Sequence, residues 1–309
     1  MSHRVAVIDV GTNTVLLLVA ERRGGAFVAV SERAEVTRLG RGVDRSGQLA
    51  PDAIRETAEV LARFAAEARG LGAADIACVA TSAARDARNG AAFFEAARAA
   101  AGVSPEVVSG DEEARLVHAG AWRDFGAPGR TLAVLDVGGG STEFTWGDGP
   151  SARDRESLQL GAVRLTERCP AADPMGPGGL EALRATAAGA LRGLARLSPA
   201  LAGARLVAVA GTVTTLAAVE QALPAYDAAR VHGSTLALGR LEALLARLAD
   251  LTVEARRRLP GMEPKRADVI VAGGAILLEA MRATGFRELT VSDRGVRWGL
   301  LWDRFGGAA

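Results

Sequence analysis

At 309 residues the chain is too long for one ordinary core and suggests two domains, each able to bury a sizeable interior. Its residues are 49% hydrophobic but only 4% aromatic, so the core must be built from Ala, Val, Leu and Ile, as in alternating helices and buried parallel strands. A formal net charge of +1 excludes a general electrostatic drive toward nucleic acid or an anionic membrane, so any bound anion needs a local site.

In chain order, "RVAVIDVGTNTVLLLVAERRGGAFVAVSERAEVTRLGRG" alternates β-branched runs with Gly and Gly-Gly punctuation and predicts a strand, a tight turn, a second strand and a third. Over residues 52–69 the apolar positions Ile54, Ala58, Leu61, Ala62, Ala65 and Ala66 recur at helical spacing. Next come the strand "DIACVAT", the loop "SAARDARNG", a helix over 91–101, the strand "PEVVS" and a helix over 112–125. This βαβα order implies right-handed crossovers into one sheet.

The segment "APGR" breaks the chain, and the pattern restarts. "AVIDVGTNTVLLLV" and "AVLDVGGGSTEFTW" match as strand, Asp, Val, Gly, polar turn and strand, with Asp9 and Asp136 offset by 127 residues (136 − 9). The strand "SLQLGAV", a helix over 179–197, the strand "RLVAVAG", helices from 214, over 241–249 and over 267–284, and the strand "ELTVSD" follow. The halves read as duplicated units, residues 1–125 and 126–309.

Glycine turns between strands set successive backbone N–H groups on one concave side, where phosphate can approach unhindered by Cβ atoms. Gly138, Gly139 and Gly140 can form such a cradle, with hydroxyls from Ser141 and Thr142. Gly11, Thr12, Asn13 and Thr14 can do the same in the first half. Asp136 and Glu143 flank the glycine run within apolar segments, where carboxylates are costly unless paired or bound to metal. Their oxygen ligands suit Mg²⁺ or Mn²⁺.

In "VVSGDEEARLVHAG", Ser109 and Glu112 have capping-box spacing, whereas Glu113 shares a helix face with Leu116, Val117 and Gly120. That placement makes Glu113 a candidate general base for activating water; a charge offset for Arg115 or the helix dipole is the structural alternative. Arg85 and Asn89 lie beyond the carboxyl end of a strand, and Arg266 and Arg297 sit beside glycine turns. The other arginines read mostly as solvated helix faces, and Lys265 is the sole lysine, a bias that reads as genomic. The three histidines make no ligand spacing. Cys78 and Cys169 lack C-x-x-C spacing, which argues against zinc or a disulfide framework. Asp9 interrupts the first apolar run short of a signal-peptide core and no run reaches membrane-spanning length, so a cytoplasmic protein is expected.

The segments "VIDVGTNT", "ATSAARDARNG", "SGDEEARL", "LDVGGGSTE", "AGTVTTLAA", "RADVIVAGGAIL" and "VSDRGVRWGLL", in this order, resemble the exopolyphosphatase and guanosine pentaphosphate phosphohydrolase family. The resemblance implies an α/β protein of two ribonuclease-H-like domains, in the actin-like ATPase superfold, with the active site between them. It implies hydrolysis of the terminal phosphoanhydride of inorganic polyphosphate or guanosine pentaphosphate, with Glu113 catalytic and Asp136 and Glu143 associated with divalent metal. Arg85, Arg266 and the hairpin groups would hold phosphates. Two departures stand out. The last motif usually reads Arg-Glu-Gly, and Trp298 replaces the glutamate. Longer members carry a further helical domain, so short polyphosphate chains are the expected substrates here. A homodimer, common among the long members, is left open.

Overall fold

The computed structural model describes residues 3–307. It divides into two compact units, one running as far as Leu116 and taking back the segment from Val296 onward, the other spanning Val117–Gly295.

The first unit contains β1 (Arg4–Val10), β2 (Thr14–Arg23), β3 (Ala26–Val36), α1 (Val43–Ser46), α2 (Pro51–Gly70), β4 (Ala73–Ala80), α3 (Ser82–Asp86), α4 (Gly90–Ala101), β5 (Glu106–Val107) and the start of α5 (Gly110–Phe125). Its sheet runs β3-β2-β1-β4-β5, with β1 antiparallel to β2 and parallel to β4. A strand flanked on both edges reads as a continuous apolar run, and in the wholly buried stretch Val5–Val10 only Asp9 is polar. Pro51 and Asp52 open α2 with a preset φ and a charge that suits the helix dipole. The buried face of α2, Ala53, Val60, Leu61, Phe64, Ala65 and Ala68, follows the helical period.

The second unit contains the remainder of α5, then β6 (Leu132–Val137), β7 (Thr142–Gly147), β8 (Asp154–Leu158), α6 (Ala162–Arg168), α7 (Gly176–Leu191), a 3-10 segment Arg192–Leu201, β9 (Arg205–Val209), α8 (Ala210–Glu220), α9 (Ala228–Val231), β10 (Thr235–Ala237), α10 (Leu238–Ala249), α11 (Val253–Arg257), α12 (Ile270–Thr284) and β11 (Glu288–Val291). Its sheet runs β10-β11-β9-β6-β7-β8. Around β6 the order repeats that around β1: two antiparallel neighbours in succession on one side, a parallel neighbour on the other. The duplication read from two hairpins thus extends to the sheets.

The chain closes with α13 (Val296–Phe305), which packs on β1, β2 and β4 of the first unit. The sequence reading drew one boundary at 125/126 from the "APGR" break, and it did not anticipate this helix. A helix returning to the first sheet leaves no local signal at its point of return. The single helix read over 179–197 ends at Leu191 and tightens into a 3-10 stretch, where Gly193 and Pro199 disfavour α geometry. The strand read as "SLQLGAV" ends at Leu158, and the chain enters α6 at Ala162. Among the described residues no helix is long and apolar enough to cross a membrane.

Candidate active site

In the first unit the turn joining β1 to β2 is closed by Gly11 N–H donating to the Thr14 carbonyl at 3.0 Å. The Thr12 carbonyl accepts from Gly40 N–H at 2.8 Å, and the Asn13 carbonyl accepts from Thr37 and Arg38 N–H, both at 3.1 Å. With its acceptors occupied, the turn presents donors. The amides of Thr12 and Asn13 have no backbone partner among the described residues. Neither Thr12 Oγ1 nor Asn13 Nδ2 has a hydrogen-bond partner there, although both are buried. Thr14 is buried as well.

Asp9, at the same turn, is 7% exposed, and its Oδ1 is buried without a partner among the described residues. Burial pushes its carboxyl up to about 7, and the Arg297 guanidinium acts in the opposite direction. Arg297, at the start of α13, is held in an ion pair with Glu32. Asp9 is absent from the candidates drawn from the sequence, although its 127-residue offset from Asp136 could have found it.

Glu113 lies in the first turn of α5 and is 7% exposed. Its carboxylate stands 3.4 Å from Arg85 Nη1, which also donates to the Val108 carbonyl at 2.8 Å. Arg85 Nη2 is buried without a hydrogen-bond partner among the described residues. Two candidates from distant segments therefore meet. Glu112 separates from Glu113 as the spacing requires: its N–H donates to Ser109 Oγ at 3.1 Å, and its carboxylate forks onto Arg115 at 2.7 and 2.8 Å. Only half of the capping box is thus realised at Ser109, the glutamate side chain being used for a surface ion pair. Asn89 is structural, because its side-chain amide clips both the N–H and the carbonyl of Leu49 at 2.8 and 3.0 Å.

The second unit repeats the turn. Gly138 N–H donates to the Ser141 carbonyl at 3.1 Å, the counterpart of Gly11 to Thr14. The start of α6 takes the carbonyls: Ala162 N–H on Gly138 at 2.9 Å, Val163 and Arg164 N–H on Gly139 at 2.9 and 3.2 Å, and Arg164 Nε on Gly140 at 2.7 Å. The amides of Gly139 and Gly140 have no backbone partner among the described residues. Ser141 is buried, and the Thr142 hydroxyl donates to the Leu160 carbonyl at 2.5 Å, a structural clip that sequence reasoning did not foresee.

Asp136 and Glu143 are register partners on β6 and β7, 5% and 2% exposed, and point to one face of the hairpin. Like charges directly opposite one another destabilise a sheet, a cost that a divalent cation held by the pair would offset. Ser157, the partner of Glu143 on β8, donates to Glu143 Oε1 at 2.7 Å. Two hard oxygen donors on one face fit Mg²⁺ or Mn²⁺, which take few protein carboxylates and complete their shell with water and phosphate. Among the described residues no group of three or more His, Cys, Asp and Glu side chains gathers as a ligand cluster.

Arg266 ends a 3-10 turn, and its guanidinium lies over Gly211 at the start of α8, where a Cβ would fall 2.2 Å from Cζ. A side chain at Gly211 would displace the guanidinium from this position. Burial draws the Arg266 guanidinium below the ordinary arginine range. The preceding residue, Ala210, holds φ at 72°, a left-handed conformation rarely adopted by a residue with a side chain.

Each unit thus carries a ribonuclease-H-like sheet whose first hairpin leaves two backbone amides without a backbone partner among the described residues, and the two together define the actin-like ATPase superfold. The Ppx/GppA phosphatase family model matches residues 18–306, and the chain belongs to that family. It is 37% identical to exopolyphosphatase 2 of Mycobacterium tuberculosis, over 96% of this chain and 97% of the relative. It is 33% identical to exopolyphosphatase 1 of Mycobacterium bovis, over 96% and 87% respectively. Among solved structures, the Ppx/GppA family member of Aquifex aeolicus superposes with a TM-score of 0.81 at 32% identity, over 98% of this chain and 97% of that one. An exopolyphosphatase from Cytophaga hutchinsonii superposes at 0.91 with 23% identity over 99% of both chains, a likeness of fold.

Proposed function

We propose that the protein hydrolyses the terminal phosphoanhydride bond of inorganic polyphosphate and releases orthophosphate. The supporting observation is the buried Glu113 carboxylate beside Arg85, in a unit whose first hairpin presents donors to an anion. Family membership and the exopolyphosphatase relatives point the same way. Glu113 accepts a proton from water as the water oxygen attacks the terminal phosphorus in line. The bridging P–O bond breaks, and the bonding pair leaves with the shortened chain. Arg85, with one N–H group uncommitted, offsets charge on the equatorial oxygens. In the second unit the Gly139 and Gly140 amides, Ser141 and Arg266 bind phosphate oxygens. Asp136 and Glu143 would hold a divalent cation, which when bound supplies charge neutralisation to the phosphates. Phosphoryl transfer rests mostly on positioning and charge stabilisation, so no covalent nucleophile is needed.

Phosphate release from short polyphosphate, long polyphosphate and guanosine pentaphosphate, with Mg²⁺ and with chelator, tests the reading. Mg²⁺-dependent release from polyphosphate is expected. Preferential release from guanosine pentaphosphate would make the protein a pentaphosphate phosphohydrolase. Binding without release from any substrate would make it a sensor.

A further inference from the structure

The segment after β3, "TRLG" at residues 37–40, reads in the sequence only as the end of the opening strand run, yet it is fastened to the first hairpin by backbone hydrogen bonds. Three backbone N–H groups in four residues, those of Thr37, Arg38 and Gly40, are spent on the carbonyls of Thr12 and Asn13. Gly40 approaches so near that a Cβ would fall 2.2 Å from Thr12 Cγ2. Arg38 holds φ at 55°, a left-handed conformation kept by a residue with a long side chain. Thr37 is 3% exposed, and its Oγ1 is buried with no hydrogen-bond partner among the described residues. Threonine in a turn can often bond its own local backbone, so the orphaned hydroxyl of Thr37 beside the hairpin leaves a donor uncommitted.

Thr37 is not alone. The Thr12 hydroxyl and the Asn13 amide nitrogen on the turn to which this loop is tied, and one oxygen of Asp9 near the end of β1, are also buried without partners among the described residues. Four such atoms on two segments joined by hydrogen bonds are costly in the free protein, and a ligand that accepts hydrogen bonds removes most of that cost at once. Three of the four groups can donate: two hydroxyls and an amide. The chemistry they match is a phosphoryl group, with several acceptor oxygens on one centre.

We propose that Thr37 is a further substrate-binding residue, its hydroxyl donating to a phosphoryl oxygen of the substrate beside Thr12 and Asn13, with the strained Arg38 loop holding it there. The assignment rests on the polyphosphate reading and adds to it a binding group from outside the two hairpins. It also gives the loop a double role. It takes up the turn's carbonyls, which would repel an anion, and it contributes a donor of its own.

The test uses the full-length protein and tripolyphosphate. Thr37→Val keeps the β-branched shape and removes the hydroxyl, and Thr37→Ser keeps the hydroxyl. Binding is measured by titration calorimetry, turnover by phosphate release, and folding by thermal unfolding without ligand. Thr37→Val is expected to weaken tripolyphosphate binding and raise KM by about tenfold, the size of one hydrogen bond to a charged acceptor. Thr37→Ser should bind within about twofold of the unchanged protein, within the usual scatter of such effects. Without ligand, Thr37→Val should unfold at the same or a higher temperature, because it removes a buried hydroxyl that has no partner. Unchanged affinity in Thr37→Val overturns the proposal, as does a lowered unfolding temperature with affinity lost equally in Thr37→Ser, which would mark a structural role. If the unchanged protein neither binds nor hydrolyses tripolyphosphate, the polyphosphate reading itself falls, and this proposal falls with it.

Discussion

The two hairpins share a backbone and differ in charge. Gly11 to Thr14 and Gly138 to Ser141 make the same turn hydrogen bond, and in each turn a separate segment occupies the carbonyls. The strands then diverge at one register position. Asp9 faces Leu16, whereas Asp136 faces Glu143. The first hairpin therefore carries one buried carboxyl that burial drives toward the neutral form, and the second carries a carboxylate pair suited to a cation. The two units share the turn's backbone arrangement and differ in side chains, and the base candidate Glu113 belongs to the first unit alone.

The largest effect is expected at Glu113. Glu113→Gln should lower phosphate release by about 10²- to 10⁴-fold while tripolyphosphate binding persists. Near-normal rates would place the base elsewhere.

Asp9 separates the hairpins by their response to pH. Its carboxyl rises from 3.8 to about 7 on folding, so the folded chain holds a proton that the unfolded chain has released between those values. Stability from this group is thus full below about 4 and lost as pH climbs through about 7, by an amount of at most about 4 kcal/mol. Asp9→Asn should flatten this slope and raise the unfolding temperature at pH 8. An unaltered profile would show that Asp9 is not held in the neutral form.

The second hairpin should instead respond to metal. Glu143→Gln should lower turnover by about 10²-fold and shift the Mg²⁺ requirement upward, a loss of preorganised charge stabilisation. Chelator should abolish release by the unchanged protein. A full response of Glu143→Gln to ordinary Mg²⁺ would remove the metal from this pair.

The smallest effect concerns the cradle itself. Gly139→Val should weaken substrate affinity by about tenfold, since a side chain there keeps phosphate from the backbone. Equal affinity would make the glycine run a structural turn only.

Sequence carried the repeat, the strands and the hairpins because these are local: a buried strand, a charge and a glycine turn recur at a fixed offset, and alternation or helical spacing marks each element. It also separated Glu113 from Glu112, since three-residue capping spacing and a helix face are both properties of one short segment. What it missed lies in contacts between distant segments. Asn89 reads as a ligand candidate until its amide is seen on Leu49, and the Thr142 hydroxyl until it is seen on the Leu160 carbonyl. The pairing of Arg85 with Glu113, the serine behind Glu143, the return of α13 to the first sheet and the fastening of Thr37 to the β1 turn all follow from how chain segments meet. By itself the sequence determined that this is an α/β chain of two similar units, each opening on a strand and a glycine turn, since strand burial and glycine turns are written in neighbouring residues. Only the tertiary structure decided which polar groups remain without protein partners, because a donor's availability depends on whatever else the fold brings within 3.5 Å of it.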